Sequence, residues 1–230
     1  MKTEGRIVNF SAGRGSLLIE TVIDRSGWKP TYLGCRPVRP LLNPVIDAIR
    51  SRRTVKKMDT ERPPTRDQID EILEAAMWAP SHHMTEPWRF VVISGQGRKR
   101  LGEALVAASL SGPGERPMPE RVEIERNRPL TAPVIVVLIS SPQVGEKVVP
   151  QEELVAAGAA LQNMLLAAHS LGLGSFVRTG LLAYSGEVRQ LFGLSDREAV
   201  VGMVYLGYAS GPATPGRRSA AEGKVTWMDG

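Results

Sequence analysis

Arg52-Arg53-Thr54-Val55-Lys56 puts three cations and a hydroxyl into five residues. Guanidinium forks and a hydroxyl donor match the oxygens of a phosphate, so an anionic ligand is one reading of this cluster. The other reading is plainer: cations at a helix C-terminus complement the helix dipole. A second group follows about 25 residues on, in Ala79-Pro80-Ser81-His82-His83-Met84-Thr85-Glu86-Pro87-Trp88. Two prolines hold this stretch as a loop between a helix and an apolar strand. Such loops carry function more often than the elements they join, although alone it is equally readable as a turn.

Other chemistries find no support. The three histidines are His82, His83 and His169, and no Cys, His and carboxylate set with zinc spacing accompanies them. There is no GxSxG elbow, no GxGxxG fingerprint and no Walker A loop. Cys35 is the single cysteine, which precludes an internal disulfide and fits a reducing, cytoplasmic setting. No apolar run approaches the roughly 20 residues that span a bilayer. The start offers only Leu17, Leu18 and Ile19 as an apolar core, so a cleaved signal peptide is not expected. The net charge of +5 is unevenly spread: residues 1–42 hold seven Lys/Arg against three Asp/Glu, the other 188 hold 22 against 21. A nucleic-acid-binding body carries its basic stripe on the fold itself, so this distribution argues against that partner.

These two groups need elements to position them. Residues 1–42 carry no sustained period and read as a flexible N-terminal extension, with one short strand near Leu17–Ile23 and a proline-rich end at Arg36–Pro40. The folded body is expected over 43–230. Asn43 and Pro44 open a short helix with Val45, Ile46 and Ile49 on one stripe, ending near Arg53. Thr65 and Gln68 have capping-box spacing before Ile69, Ile72, Leu73, Ala76 and Met77, and Pro80 stops that helix. Trp88–Ser94 and Pro133–Ser140 read as buried strands. Between them lie a helix over Gly97–Ser111, a loop over Gly112–Pro119 and a shorter helix over Glu120–Asn127. Gln151–Leu171 is a helix apolar on nearly every face, whose expected burial in so small a domain is a subunit interface. After the glycines of Gly172–Gly174 come a strand through Phe176–Arg178, a helix near Ser185–Phe192 and a strand over Val200–Tyr208. A last strand-like piece is Lys224–Met228. The interleaving predicts an α/β or α+β fold around a central sheet.

With these stretches in view, the sequence resembles the nitroreductase family of FMN-dependent oxidoreductases, nearest its short YdjA-like branch. The matches are RRT-x-K, then APSHHMTEPWRFVVI, AAGAALQNMLLAAHSLGLGSFVRTG and VVGMVYLGYAS, in order, over about residues 43–228. The resemblance implies a mixed sheet wrapped by helices in an intertwined homodimer, with Lys224–Met228 crossing to the partner's sheet.

It further implies that Arg52, Arg53 and Thr54 hold the FMN phosphate, with Arg217 or Arg218 as a second contact. Lys56 falls at the N1/O2 edge of the flavin, where reduction builds negative charge. Met77, Pro80 and Ser81 line the ring from the partner subunit, and Phe176, Val177 and Arg178 pass over its other side. Leu166, Ala167, Ala168, His169, Ser170 and Leu171 fall where this branch accommodates NADH or NADPH. The implied reaction is ping-pong: NAD(P)H delivers hydride to flavin N5 and leaves, and a nitroaromatic or quinone takes the electrons. Rival expectations are dehalogenase-like or flavin-fragmenting FMN chemistry, or a non-catalytic flavin-binding regulatory protein. Two departures bear on the acceptor. Met84 stands where relatives often carry Asn, and Val177 where a tryptophan is common.

Overall fold

The computed structural model describes residues 6–11, 16–21, 43–112, 116–145, 147–212 and 214–228. The chain divides into two units, Met1–Asn43 and Pro44–Gly230. In the first, β1 (Arg6–Ser11) pairs antiparallel with β2 (Ser16–Thr21), Phe10 opposite Leu17. The strand expected near Leu17–Ile23 is β2. Val22, Ile23, Cys35 and Arg36–Pro40 lie outside the described residues.

The second unit is built on β3 (Trp88–Ser94), β4 (Val134–Ser140), β5 (Gly174–Arg178) and β6 (Ala199–Gly207), in the order β3-β4-β6-β5. Every neighbouring pair of these strands is antiparallel. The four strands thus form an antiparallel sheet of α+β type, to which the isolated parallel bridge Thr54–Ser175 adds a mixed edge. The cause is the number of helices in each connection. Two helices, α3 (Gln96–Ser111) and α4 (Pro119–Asn127), link β3 to β4, so the chain re-enters from the end it left. One helix, α5 (Pro150–Ser170), links β4 to β5, but β6 slots between those two parallel strands.

All seven residues of β4 are buried, because both faces of the sheet are covered. Val134, Val136 and Leu138 join the cluster that includes α2 (Arg66–Met77) and α5. Ile135, Val137 and Ile139 face the other way, toward α3 and α6 (Gly186–Leu191). The period-two alternation of a strand thus feeds two cores at once.

The α2 capping box forms as its sequence predicts: Thr65 Oγ1 accepts from the Gln68 amide at 3.2 Å, and Gln68 Oε1 accepts from the Thr65 amide at 3.0 Å. At the end of α5, Leu173 N–H reaches Ala168 O at 2.8 Å and Gly172 N–H reaches His169 O at 3.1 Å. This is a Schellman closure, and Gly172 sits at φ 74°.

Helix α5 departs from its expected burial at a subunit interface. Most of its apolar surface is not left over for a partner. Ala156, Ala157, Ala160, Met164, Leu165 and Ala168 are buried within their own chain, since α5 is clamped between the sheet and α2. Only Leu154 and Val155 remain as large exposed apolar groups in its body. Two observations concern the ends of the body. The first helix, α1 (Pro44–Ser51), stops at Ser51 and has no buried residue. Lys224–Met228 forms no strand within its own chain, and Trp227 and Met228 are exposed.

Candidate functional site

Immediately after α1 the chain runs alongside β5. Thr54 bridges Ser175 in parallel, and the Val55 amide donates to Ser175 O at 3.0 Å. Farther on, the Asp59 amide donates to Tyr208 O at 2.9 Å and the Ser210 amide to Lys57 O at 3.1 Å. Residues 54–59 are therefore pinned to the start of β5 and the end of β6. Gly174 is what lets them approach: a Cβ there would lie 2.7 Å from Val55 Cγ1.

The two readings of the cation cluster divide between two residues. Arg53 does the plain job, donating through Nη1 to Arg50 O at 2.6 Å and Arg52 O at 2.9 Å, which satisfies carbonyls at the end of α1. Arg52 has no such partner. Burial, with the added charges of Arg218 and Arg53, pushes its guanidinium below the ordinary arginine value. No carboxylate among the described residues pairs with it. A half-covered guanidinium beside an exposed second one, with no carboxylate partner among the described residues, is suited to an anion. Lys56 and the Thr54 hydroxyl are exposed beside it, with no ion pair or hydrogen bond among the described residues.

The second cation comes from the far end of the chain. Gly216 crosses Arg53 so closely that a Cβ there would lie 2.5 Å from Arg53 Cζ. This brings Arg218, and not Arg217, to bear on Arg52; the Arg217 side chain is exposed, and its carbonyl accepts from Arg218 Nη1 at 2.7 Å.

The loop group gathers elsewhere. Trp88 Nε1–H donates to Met77 Sδ at 3.1 Å, joining the end of α2 to the start of β3. Between them His83, Met84 and Glu86 all take positive φ, at 51°, 52° and 45°. Left-handed backbone costs a side-chain-bearing residue roughly 1–2 kcal/mol, so something must hold it. That anchor is Glu153 of α5, 2% exposed, which accepts from Thr85 Oγ1 at 2.7 Å and from the Gln143 amide at 3.2 Å. Ser81 Oγ accepts from the Glu86 amide at 3.3 Å. A cleft of about 430 Å³ opens between Pro80, Ser81 and the first half of α5.

The two groups occupy opposite corners of the sheet. Trp88 is level with Ser140, and Ser175 is level with Leu206, which pairs with Val134. At about 3.4 Å per residue and about 4.8 Å per strand, the six steps of β4 and three strand spacings put them about 25 Å apart. Helix α5 gives an independent measure. His82 meets Glu152 near its start, and Ser51 Oγ lies 2.8 Å from His169 Nε2 at its end. That span is also about 25 Å at 1.5 Å per residue.

On β5, Phe176 stacks on buried Tyr205 with ring centroids 4.6 Å apart, and Val177 faces the α5 core. The Arg178 guanidinium lies 5.9 Å from the Tyr205 ring centroid with its Nε buried and unpaired. At the end of α5, Ala168 is fully buried, His169 is engaged with Ser51, and Ser170 Oγ donates to Ala167 O. Leu166 and Leu171 are partly buried. These contacts tie the helix end to α1 and give no direct sign of a nicotinamide pocket.

A nitroreductase family model matches residues 49–208, which is more than half of the chain and spans both corner groups. The chain belongs to the nitroreductase family. Among its relatives is YdjA of Escherichia coli (strain K12), provisionally named an NAD(P)H nitroreductase. The two are 33% identical over 162 residues, covering 70% of this chain and 86% of that protein. A nitroreductase-like family protein from Bacillus cereus superposes with a TM-score of 0.72 at 27% identity, covering 81% of this chain and 96% of that one. A nitroreductase with bound FMN from Bacteroides fragilis NCTC 9343 superposes with a TM-score of 0.63 at 26% identity, covering 82% and 100%. The antiparallel sheet with helices on both faces is thus the nitroreductase fold.

Within this family frame, three features escaped the reading of residue types. Gly174 and Gly216 act by leaving room, which no chemical motif announces. Glu153 gave no signal either, since a carboxylate in the first turn of a helix ordinarily complements the helix dipole in solvent.

Proposed function

We propose that this nitroreductase-family protein is an FMN-dependent oxidoreductase that takes electrons from NADH or NADPH and passes them to a nitroaromatic or quinone acceptor. The observation that carries the reading is Arg52, half-covered and flanked by Arg218 and Arg53, with no counter-ion among the described residues. A phosphate supplies the missing charge, and the exposed Thr54 hydroxyl and Lys56 ammonium complete its donor set. Bound FMN supplies the redox chemistry, accepting a hydride and releasing two electrons to the acceptor.

The chain's own residues bind and bias. Arg52 and Arg218 neutralise the phosphate. Lys56, two residues beyond Thr54 on the strand-like run, would lie with bound FMN at the flavin edge that turns negative on reduction, where its charge would be stabilising. The β5 backbone from Phe176 to Arg178 offers peptide groups to one side of the ring. Dehalogenase-like and flavin-fragmenting readings have less support, because the relatives bear nitroreductase names.

A homodimer is part of the proposal. The five-carbon arm between an FMN phosphate and its ring spans only about 8 Å at about 1.5 Å per bond. The phosphate corner and the Met77–Ser81 loop of one chain stand about 25 Å apart by the strand and helix spacings. One chain therefore supplies the phosphate corner and a second copy, related by a two-fold axis, supplies the ring loop. No helix among the described residues is long and apolar enough to cross a membrane, and we place the enzyme in the cytoplasm, where the lone Cys35 stays reduced. The test is the absorbance spectrum of the purified protein, with bands expected near about 370 and about 450 nm. A colourless protein that does not take up added FMN removes this reading.

A further inference from the structure

The cleft beside Ser81 has one apolar wall, formed by Val155, Ala156 and Ala159 of α5. His82 and Glu152 are the ionisable side chains that line it. His82 Nε2 stands 3.6 Å from Glu152 Oε2, an ion-pair distance. That oxygen is itself shielded from solvent and accepts no hydrogen bond. The His83 ring meets the His82 ring edge-on, with centroids 4.3 Å apart. Nδ1 of His82 has no partner among the described residues. Of the other charged residues on these two elements, Glu86 follows in the same loop, and Glu153 of α5 is occupied by Thr85 and the Gln143 amide.

We propose that this cleft receives a quinone-type acceptor and that His82 protonates its oxygen from Nδ1, with Glu152 as the positioning residue that orients the ring through Nε2. The inference rests on the reading that FMN binds beside Ser81. A flat apolar ring suits the alanine-rich wall, and among the lining side chains His82, unlike Ser81 and Gln151, can transfer a proton as well as donate a hydrogen bond. Reduction of a quinone takes two electrons and two protons. Both electrons and one hydrogen come from the reduced flavin, and the second proton comes from His82. The neutral hydroquinone leaves, and His82 regains a proton from water. Imidazole is suited to this role because it exchanges its proton near neutral pH.

The test compares menadione with ferricyanide in the flavin-loaded enzyme, since ferricyanide takes single electrons and no proton. His82→Gln lowers the ratio of menadione to ferricyanide turnover by about 10- to 100-fold, toward the lower end for a general acid. Glu152→Gln gives an intermediate ratio. A second readout needs no turnover. Menadione added to the oxidised holoprotein without nicotinamide shifts the His82 ring-proton NMR signals, identified by their loss in His82→Gln. With flavin bound, a ratio within about twofold of wild type in His82→Gln overturns the proposal. So do His82 signals that menadione leaves in place. Wild-type protein that binds no flavin removes the cofactor reading, and this proposal with it.

Discussion

The Val55 amide donates to Ser175 O at 3.0 Å, and this bond carries the phosphate-binding candidates onto the open side of β5. Val55 can come that close only because residue 174 has no side chain. A motif read in the sequence as a helix end is in the structure a guest strand, one residue pair wide, on a sheet formed 120 residues later.

Gly174→Ala tests that relationship. The added methyl meets Val55 at 2.7 Å, and overpacking of this kind costs about 1–3 kcal/mol. The cheapest relief is to lift residues 54–56 off β5. Far-ultraviolet circular dichroism then stays native while FMN affinity drops about tenfold. Wild-type affinity in this variant removes the pinned segment from the site.

Arg52→Ala separates binding from stability. Loss of a charge-assisted phosphate contact costs roughly 1.5–3 kcal/mol, or about ten- to a hundredfold in dissociation constant. The same change relieves the repulsion from Arg218 and Arg53. The flavin-free variant therefore melts no lower than flavin-free wild type. A titration that gives the wild-type dissociation constant takes Arg52 out of the site.

Acid sensitivity centres on Glu198, which accepts from Arg89 Nε at 2.8 Å and ties β3 to the turn before β6. That hydrogen bond, followed by those from Ser195, holds its carboxyl at about 2 against an ordinary 4.5. A depressed pKa contributes stability that is complete above the unfolded value and drains away as pH falls from 4.5 toward about 2. Urea midpoints at about pH 6 and about pH 3 check it. Wild type should lose more between them than Glu198→Gln, and equal losses would assign the acid limb to other carboxylates.

Complementation tests the shared site. Arg52→Ala spoils the phosphate corner, and Ser81→Trp fills the ring loop. Each homodimer should be flavin-poor. Mixed dimers hold one site made of an intact Arg52 from one chain and an intact Ser81 from the other, so co-expression restores flavin to about half occupancy in the heterodimer. No recovery, or a flavin-loaded species of 25.0 kDa in light scattering, sinks the two-chain arrangement.

What the sequence determined by itself was local or patterned. Helix ends followed from Thr65 with Gln68 and from Gly172, because capping is settled within a few residues. The strands followed from apolar runs, and the cofactor class from the family resemblance that the cation cluster and the loop motif helped to carry. Tertiary structure decided the rest, because it depends on groups far apart in the chain. Strand order made the sheet antiparallel by placing β6 between β4 and β5. Packing of α5 between α2 and the sheet showed where its apolar faces go, which periodicity could not. The approach of residues 216–218 to α1 separated Arg52, left without a counter-ion, from Arg53, spent on helix carbonyls. The same folding sent the two halves of the site to opposite corners of one sheet. The resemblance had assigned the ring loop to a partner subunit, and the spacing of the two groups along β4 and α5 is in keeping with that proposal.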